Sequence, residues 1–311
     1  MTLIEGIMEP ETAGDPMGKS LNWTRKSTYK LCEELKRQNI NISPNASGKI
    51  LKHLNYSLKS NRKSISATTH PDRNHQFEFI NTTVKQFEDS GEVIISIDTK
   101  KKESIGNFSN DGKKYDKGFE HTLDHDFISY AIGKINPFGI YEPLTNKGTV
   151  VLGTSYDTPE FAVDTIDIWL NKIAFHRYSK IKKLLILCDS GGSNGCRKHG
   201  WKYYLYKKIS TVYGIEIQVC HYPSGASKWN PIEHRMFSHI SKNWAGVPLR
   251  SYEVAMNYIS TTTTKKGLTV KAFLHEKEYE KGVCFNKEEV EKEIKIDRNQ
   301  LLPQWNYKIL F

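Results

Sequence analysis

The sequence contains no long hydrophobic run, and no stretch of it approaches the roughly 18 consecutive apolar residues that mark a membrane-spanning helix. The first fifteen residues, MTLIEGIMEPETAGD, are acidic, whereas a secretory signal begins with basic residues followed by an apolar segment. We therefore expect no membrane association and a cytoplasmic protein.

Cysteine is scarce, and the five cysteines are scattered without a CxxC pair. This pattern fits neither a disulfide framework nor a zinc site, and it favours a reducing compartment. The eleven histidines form no HExxH motif. Because the sequence also lacks a nucleotide-binding or acyl-transfer motif, an enzyme acting on small molecules is disfavoured.

What the sequence does contain is a concentrated block of positive charge. Residues 19–63 hold eleven Lys and Arg against two Glu, which accounts for nine of the ten net positive charges. Such a block is typical of a protein that binds a polyanion, with nucleic acid as the first candidate and a solvated linker as the alternative.

The same segment predicts two short helices. Leu31 and Leu35 lie on one helical face after the capping residue Ser27, and the Ser-Pro pair at 43–44 begins a second helix. Two such helices joined by about four residues resemble a helix-turn-helix, and any small helical hairpin is the alternative.

In the helix-turn-helix interpretation, the second helix enters the major groove of DNA. The side chains placed near the bases are Asn45, Ser47 and Lys49. The basic segment that follows would contact phosphates through Lys59, Arg62 and Lys63.

The rest of the chain has the pattern of an α/β domain. Apolar, β-rich runs alternate with helical patterns, which predicts a mixed sheet flanked by helices. The predicted organisation is a flexible lead (1–18), a helix-turn-helix unit (19–66), a linking helix (67–90), an α/β domain (91–246) with an irregular insertion at about 109–148, and a C-terminal helical extension (247–311).

Three acidic residues stand at unusual positions in this domain. Asp98 follows VIISI on the first strand, Asp189 ends the apolar run LLILC before a Gly-rich turn, and Glu233 lies in the first turn of a helix begun by an Asn-Pro pair. Each has a structural alternative: an acid on an edge strand, a turn residue before glycines, and a complement to the helix dipole.

Together, these acids can converge at the ends of two adjacent strands and a helix packed on them. Three neighbouring carboxylates repel one another, and divalent cations relieve that repulsion. Oxygen-only ligands suit Mg²⁺ or Mn²⁺, and two such ions promote in-line attack on a phosphodiester by water or a 3′-hydroxyl. The basic segment and the acidic site would then serve one reaction on DNA.

Four stretches of the sequence resemble the Rhodopirellula-type DDE transposases, the ISAzo group of bacterial insertion sequences, which is distantly similar to the mariner superfamily. They are THPDRNHQFEFIN (69–81), VIISIDTKKKESIGNF (93–108), LLILCDSGGSNG (184–195) and CHYPSGASKWNPIEHRMFSHISKNWAG (220–246). The resemblance runs from about residue 17 to near the C-terminus. Because members of the group usually carry a longer N-terminal region, we expect this chain to be N-terminally short.

This resemblance implies a ribonuclease-H-like domain in which Asp98, Asp189 and Glu233 form the DDE triad and hold two Mg²⁺ or Mn²⁺ ions. It also implies cleavage at element ends and strand transfer to target DNA. Because two element ends are handled together, we expect homo-oligomers assembled on DNA. A truncated, non-catalytic DNA-binding remnant is the alternative from another class, and a nuclease without strand transfer is the third hypothesis.

Several residues near the acids have two interpretations each. Lys100 and the two lysines after it either hold phosphates or form a solvated charge run. Trp229 either stacks on a DNA base or packs against the protein. Asp157 competes for a place among the acids but fits a helix cap better, and His234 points away from Glu233 on the same helix.

Overall fold

The computed structural model describes residues 2–8, 12–13, 23–24, 26–58 and 70–311. The chain divides into two compact units, residues 1–65 and 66–311. Within the described part, no helix is long and apolar enough to cross a membrane. Outside the described residues lie half of the predicted flexible lead and the three predicted phosphate contacts, Lys59, Arg62 and Lys63.

The smaller unit contains the two predicted helices. Its elements are helix α1 (Thr2–Met8), the paired antiparallel strands β1 (Thr12–Ala13) and β2 (Trp23–Thr24), and helices α2 (Thr28–Arg37) and α3 (Pro44–His53). The hydroxyl groups of Ser27 and Ser43 accept hydrogen bonds from backbone N–H groups in the first turns, each at 3.2 Å. The predicted helix starts are therefore confirmed, whereas the connection, residues 38–43, is longer than expected.

Helices α2 and α3 pack through one apolar face each, around buried leucines of α2. On α3, Ser47 lies one turn before Ile50 and Leu51 on the packed face, and Ser47 is fully buried. Its side chain is therefore not accessible to a DNA base, and this part of the prediction is wrong. Asn45 and Lys49 lie on other faces of the helix and are exposed.

The larger unit is built on a mixed sheet of nine strands. They are β3 (Val93–Thr99), β4 (Glu103–Ile105), β5 (Gly133–Glu142), β6 (Lys147–Gly153), β7 (Lys183–Asp189), β8 (Glu216–Tyr222), β9 (Thr269–His275), β10 (Lys295–Arg298) and β11 (Asn306–Leu310). Their order is β10-β11-β8-β7-β3-β5-β6-β9, with β4 paired to β5. Strands β3, β7 and β8 are parallel neighbours, and β5 is antiparallel to both β3 and β6.

Helices connect and cover these strands. In chain order they are α4 (Arg73–Asp89), α5 (Pro159–Trp169), α6 (Phe175–Arg177), α7 (His199–Tyr204), α8 (Thr211–Tyr213), α9 (Ser238–Asn243), α10 (Tyr252–Ser260) and α11 (Lys287–Glu293). π-Helical segments join α5 to α6 and α7 to α8, and a third, Glu233–Phe237, leads into α9. The predicted mixed sheet flanked by helices is confirmed.

Side chains that alternate along the strands cover both faces of the sheet. On β3, Ile95 and Ile97 pack with α5 and α7, whereas Ile94 points to the opposite face, where α4 packs. Helix α4 therefore belongs to the larger unit as a layer on the sheet. Its role as a link to the smaller unit stays a prediction, and its packing on the sheet is a second role that was not predicted.

Two other predicted segments differ from the structure. Strand β5 lies inside residues 109–148, where an irregular insertion was expected, so the insertion ends before residue 133. Pro137 is tolerated in β5 because it lies beyond the last residue of β5 that pairs with β3, Phe138. Residues 247–311 supply β9, β10 and β11 to the two edges of the sheet rather than only helices.

Two glycines let the helical stretch 231–243 approach the sheet closely. Gly139 on β5 and Gly148 on β6 both face Met236, and Gly139 also faces the ring of Phe237. A Cβ atom at Gly139 would lie 2.6 Å from that ring. Since Gly139 is the register partner of Asp98, this contact fixes the stretch beside the end of β3.

Gly139→Ala is expected to lower the free energy of unfolding by about 1–3 kcal/mol, because the added methyl group overpacks the contact with Phe237. Urea denaturation followed by circular dichroism measures this change. Gly118→Ala is the matched control, since a Cβ atom there would meet nothing within 4 Å. Equal stability of the two variants would contradict the close approach.

Candidate active site

The first two predicted acids lie side by side at the ends of neighbouring parallel strands. Ile97 of β3 is the register partner of Cys188 of β7, so Asp98 and Asp189 occupy the next positions along the two strands. The carboxyl ends of parallel strands form an edge where α/β proteins place their ligands.

The third acid reaches this edge from the helical stretch 231–243. The backbone N–H of Glu233 donates to the carbonyl oxygen of Asn230 at 3.2 Å, which sets the first turn of the helix. The Glu233 carboxyl group is within hydrogen-bonding reach of Asp98. The structure thus brings the three predicted acids together from three separate parts of the chain.

Two of these acids, Asp98 and Asp189, have raised pKa values. Burial raises the pKa of Asp98 to about 8, together with the charge of Asp189 and the hydrogen bond and charge of Glu233. The backbone N–H of Thr99, which donates to Asp98 Oδ1 at 2.8 Å, opposes this rise only in part. Burial also raises the pKa of Asp189, against a hydrogen bond from the Asn230 amide.

The chemistry of the donors fits a hard divalent cation. A cation bound between the three carboxylates would offset their mutual repulsion, and an all-oxygen set of ligands suits Mg²⁺ or Mn²⁺. As the side chains stand, no three His, Cys, Asp or Glu residues of the described part have the geometry of a formed metal site. Metal binding at these acids therefore stays a prediction.

A groove with a cavity volume of about 590 Å³ opens beside Asp98 and Asp189. Its walls carry exposed cations, Lys101, Lys102 and Arg197. Arg197 was not among the residues predicted from the sequence, although this basic residue follows the Gly-rich turn after Asp189.

Lys100 is the one of the three lysines that was predicted to contact DNA, but its side chain contacts other side chains of the protein. Its ammonium group forms an ion pair with Glu103 at 2.8 Å and lies 4.5 Å from the centre of the Trp244 ring. The side chain is only 11% exposed. Lys101 and Lys102 are therefore better placed than Lys100 to contact a phosphate.

Asp157 does not cap a helix as the sequence analysis expected. Thr158 is the capping residue of α5, and its hydroxyl accepts from the backbone N–H of Phe161. Asp157 instead lines the groove, and its buried Oδ1 has no hydrogen-bond partner among the described residues.

The two aromatic neighbours of the third acid have different surroundings. The His234 ring hydrogen-bonds the carbonyl oxygen of Lys228. Trp229 is 46% exposed, and its ring lies 5.5 Å from Phe77 and 5.1 Å from the guanidinium of Arg73. Trp229 thus packs against other side chains of the protein and also keeps an exposed surface.

The model of a protein family described as the Rhodopirellula transposase DDE domain matches residues 3–310. The chain belongs to this family. The match begins earlier than residue 17, from which the sequence resemblance was expected to run. No curated protein matches the chain significantly.

Among solved structures, the chain is similar to the Mos1 transposase. The paired-end complex with the left transposon end has 13% sequence identity and a TM-score of 0.43, over 75% of this chain and 65% of that chain. The strand transfer complex has 12% identity and a TM-score of 0.44, over 75% and 64%. The match therefore spans less than two thirds of the Mos1 chain.

A series of buried hydrogen bonds, here called the relay, ends at the backbone carbonyl group of Asp189. Trp201 Nε1–H donates to the hydroxyl of Tyr307, which donates to His221 Nε2, each at 3.0 Å. His221 Nδ1–H then donates to the carbonyl oxygen of Asp189 at 2.9 Å. Because a carbonyl only accepts, Nδ1 carries the proton, and burial lowers the pKa of His221 to about 4, which keeps the ring neutral at pH 7.

Tyr307→Phe is expected to lower the free energy of unfolding by about 1–3 kcal/mol, because Trp201 then loses its acceptor and His221 its donor in a buried site. Chemical denaturation at pH 7 measures this loss. Tyr115→Phe, at a fully exposed tyrosine, is the control. An unchanged midpoint for Tyr307→Phe would show that the relay does not stabilise the fold.

Proposed function

We propose that this chain is a metal-dependent DNA transposase, which cleaves at the ends of its element and joins the freed 3′-hydroxyl to target DNA. The observation that carries the proposal is the convergence of Asp98, Asp189 and Glu233 at one edge of the sheet. Membership of the DDE transposase family supports it. In this proposal, the sheet and its helices form a ribonuclease-H-like core.

The three acids would hold two Mg²⁺ or Mn²⁺ ions, which when bound supply activation of the attacking hydroxyl and stabilisation of the leaving oxygen. Lys101, Lys102 and Arg197 bind backbone phosphates along the groove, because they are exposed cations on its walls.

The smaller unit would recognise the element ends. Asn45 and Lys49 are exposed on α3 and can face DNA, whereas Ser47 supports the packing of α3 on α2. The basic segment through Lys59, Arg62 and Lys63 contacts phosphates in this proposal. Because two element ends are handled together, the chain assembles as a homo-oligomer on DNA.

A second candidate function is DNA binding without catalysis. The exposed cations Lys49, Lys101, Lys102 and Arg197 serve this function equally well, because DNA binding through phosphates needs no metal. In this case the chain would occupy element ends and compete with an active transposase.

A joining assay tests the proposal. The protein is incubated with Mn²⁺ or Mg²⁺, a pre-cleaved oligonucleotide carrying the element's terminal repeat, and a supercoiled plasmid. The expected result is joined product from the parent chain and from the control Asp124→Asn, whose carboxylate is exposed, but none from Asp189→Asn. Hydrolysis without joining would identify a nuclease, and binding without either reaction would identify the non-catalytic candidate.

A further inference from the structure

The side chain of Asn230 is fully buried beside the three acids. Its Nδ2 donates to Asp189 Oδ1 at 3.2 Å and to the carbonyl oxygen of Ile97 at 3.3 Å. The Asn230 amide group therefore contacts both β3, the strand that carries Asp98, and the carboxylate of Asp189. Because Asp189 Oδ1 accepts the hydrogen bond from Asn230 Nδ2, the other carboxylate oxygen of Asp189 is left for a cation.

The carbonyl end of the same amide is fixed by Ser96. The Ser96 hydroxyl donates to Asn230 Oδ1 at 2.5 Å and accepts from the backbone N–H of Ile232 at 3.2 Å. Ser96 is fully buried and lies two residues before Asp98 on β3, so both side chains point to the same face of the sheet. Ile232 directly precedes Glu233.

Asn230 and Ser96 thus connect all three elements that carry the acids. Both N–H donors and the acceptor of the amide are used through these contacts, and the hydroxyl both donates and accepts. A buried polar network whose members are all satisfied is rigid and specifies one geometry. An apolar side chain at position 230 would fill the space but leave Asp189 and the carbonyl of Ile97 without their donor.

We propose that Asn230, oriented by Ser96, is a positioning residue that sets the orientation of the Asp189 carboxylate and the place of Glu233 for cation binding. This inference rests on the proposed function. It explains why a polar residue interrupts the apolar run VIISI, and why the helix of the third acid begins with Asn.

Mn²⁺ affinity of the full chain, measured by electron paramagnetic resonance of the free ion, tests this inference without relying on activity. Asn230→Ala is expected to weaken Mn²⁺ binding about 10–100-fold, the usual effect of removing a residue that orients a metal ligand. Ser96→Ala changes the affinity in the same direction. Binding of end DNA without metal is expected to stay within about twofold of the parent.

Asn306→Ala is the matched control. Asn306 is also fully buried, and its amide bonds the side chain of Gln76 rather than an acid. We expect Asn306→Ala to lower the melting temperature but to keep the parent's Mn²⁺ affinity. This outcome separates a positioning role from a general loss of buried hydrogen bonds.

Mn²⁺ affinities of Asn230→Ala and Ser96→Ala within about twofold of the parent would overturn the inference while leaving the proposed function intact. If Asn230→Ala does not fold, Ser96→Ala alone decides. A parent chain that binds no Mn²⁺ and joins no DNA would contradict the proposed function, and this inference with it.

Discussion

Asp98→Asn is expected to abolish strand transfer while leaving the affinity for end DNA unchanged. The substitution keeps the shape of the side chain but removes the carboxylate that would bind a cation together with Asp189 and Glu233. Removal of a residue that only orients a metal ligand costs about 10–100-fold, so loss of a ligand should exceed about 100-fold. The basic surfaces that we propose to bind phosphates are not altered.

Joining rates in Mn²⁺ and DNA affinities in metal-free buffer measure the two halves of this expectation. Asp124→Asn, the same chemical change at an exposed carboxylate, should match the parent in both. Joining by Asp98→Asn at more than about a tenth of the parent rate would remove Asp98 from the reaction.

The second large effect is on stability. In the folded chain the pKa of Asp98 is about 8, against an ordinary value of 3.8, so between these pH values the folded state holds a proton that the unfolded state has released. The metal-free protein therefore loses stability as pH rises from about 4 to about 8. The raised pKa of Asp189 acts in the same direction. A divalent cation bound to the ionised acids is expected to restore stability at pH 8.

Melting temperatures at pH 5 and pH 8, with EDTA or with Mn²⁺, test this effect. At pH 8 in EDTA, Asp98→Asn is expected to melt several degrees above the parent, since each kcal/mol shifts the midpoint by about 2–4 °C. At pH 5 the difference should be much smaller, because the pH then exceeds the pKa of the unfolded Asp98 by only about one unit. Mn²⁺ at pH 8 should raise the midpoint of the parent and not that of the variant.

The difference in melting temperature between Asp98→Asn and the parent reports on Asp98 and not on the other titrating groups. Burial lowers the pKa of His221 to about 4, so this residue has the opposite effect on stability. Its contribution is lost as pH falls from about 6.5 to about 4. This contribution is common to both proteins and cancels in their difference. A parent that melts higher than Asp98→Asn at pH 8 in EDTA would contradict the crowding of the acids.

The three acids were predictable because each interrupts a local pattern. Asp98 and Asp189 end apolar strands, and Glu233 opens a helix. Their convergence was not readable from local patterns, since the two strands are parallel neighbours separated by about ninety residues of chain. Pairing of such strands is decided by packing of the whole sheet, so the patterns allowed the acids to converge without requiring it, and the family resemblance supported joining them into one site.

The errors in the predicted fold have identifiable causes. Strand β5 was missed because its sequence, GKINPFGIYE, contains the glycines and proline that usually mark loops, although Gly139 is required there by the ring of Phe237. The burial of Ser47 was readable from its spacing to Ile50 and Leu51. The docking geometry of a helix-turn-helix places Ser47 near the bases, whereas the apolar period of α3 places it on the packed face.

The residues around the acids that were not predicted differ in how clearly the sequence indicates them. Ser96 was detectable as a polar residue inside an apolar strand, and the pairing of Lys100 with Glu103 as a short-range charge pair. The role of Arg197 depends on the tertiary fold, because the Gly-rich turn places it on the wall of the groove only once β7 and β3 are paired.

The most direct measurement is anomalous X-ray diffraction from crystals of the full chain soaked with Mn²⁺, because it locates the ions without requiring turnover or a known DNA end. We expect anomalous peaks in contact with the carboxylates of Asp98, Asp189 and Glu233, and none at these positions in crystals of Asp98→Asn. Crystals of the parent in which Mn²⁺ is absent from these three carboxylates, or bound only elsewhere, would contradict the metal-dependent site.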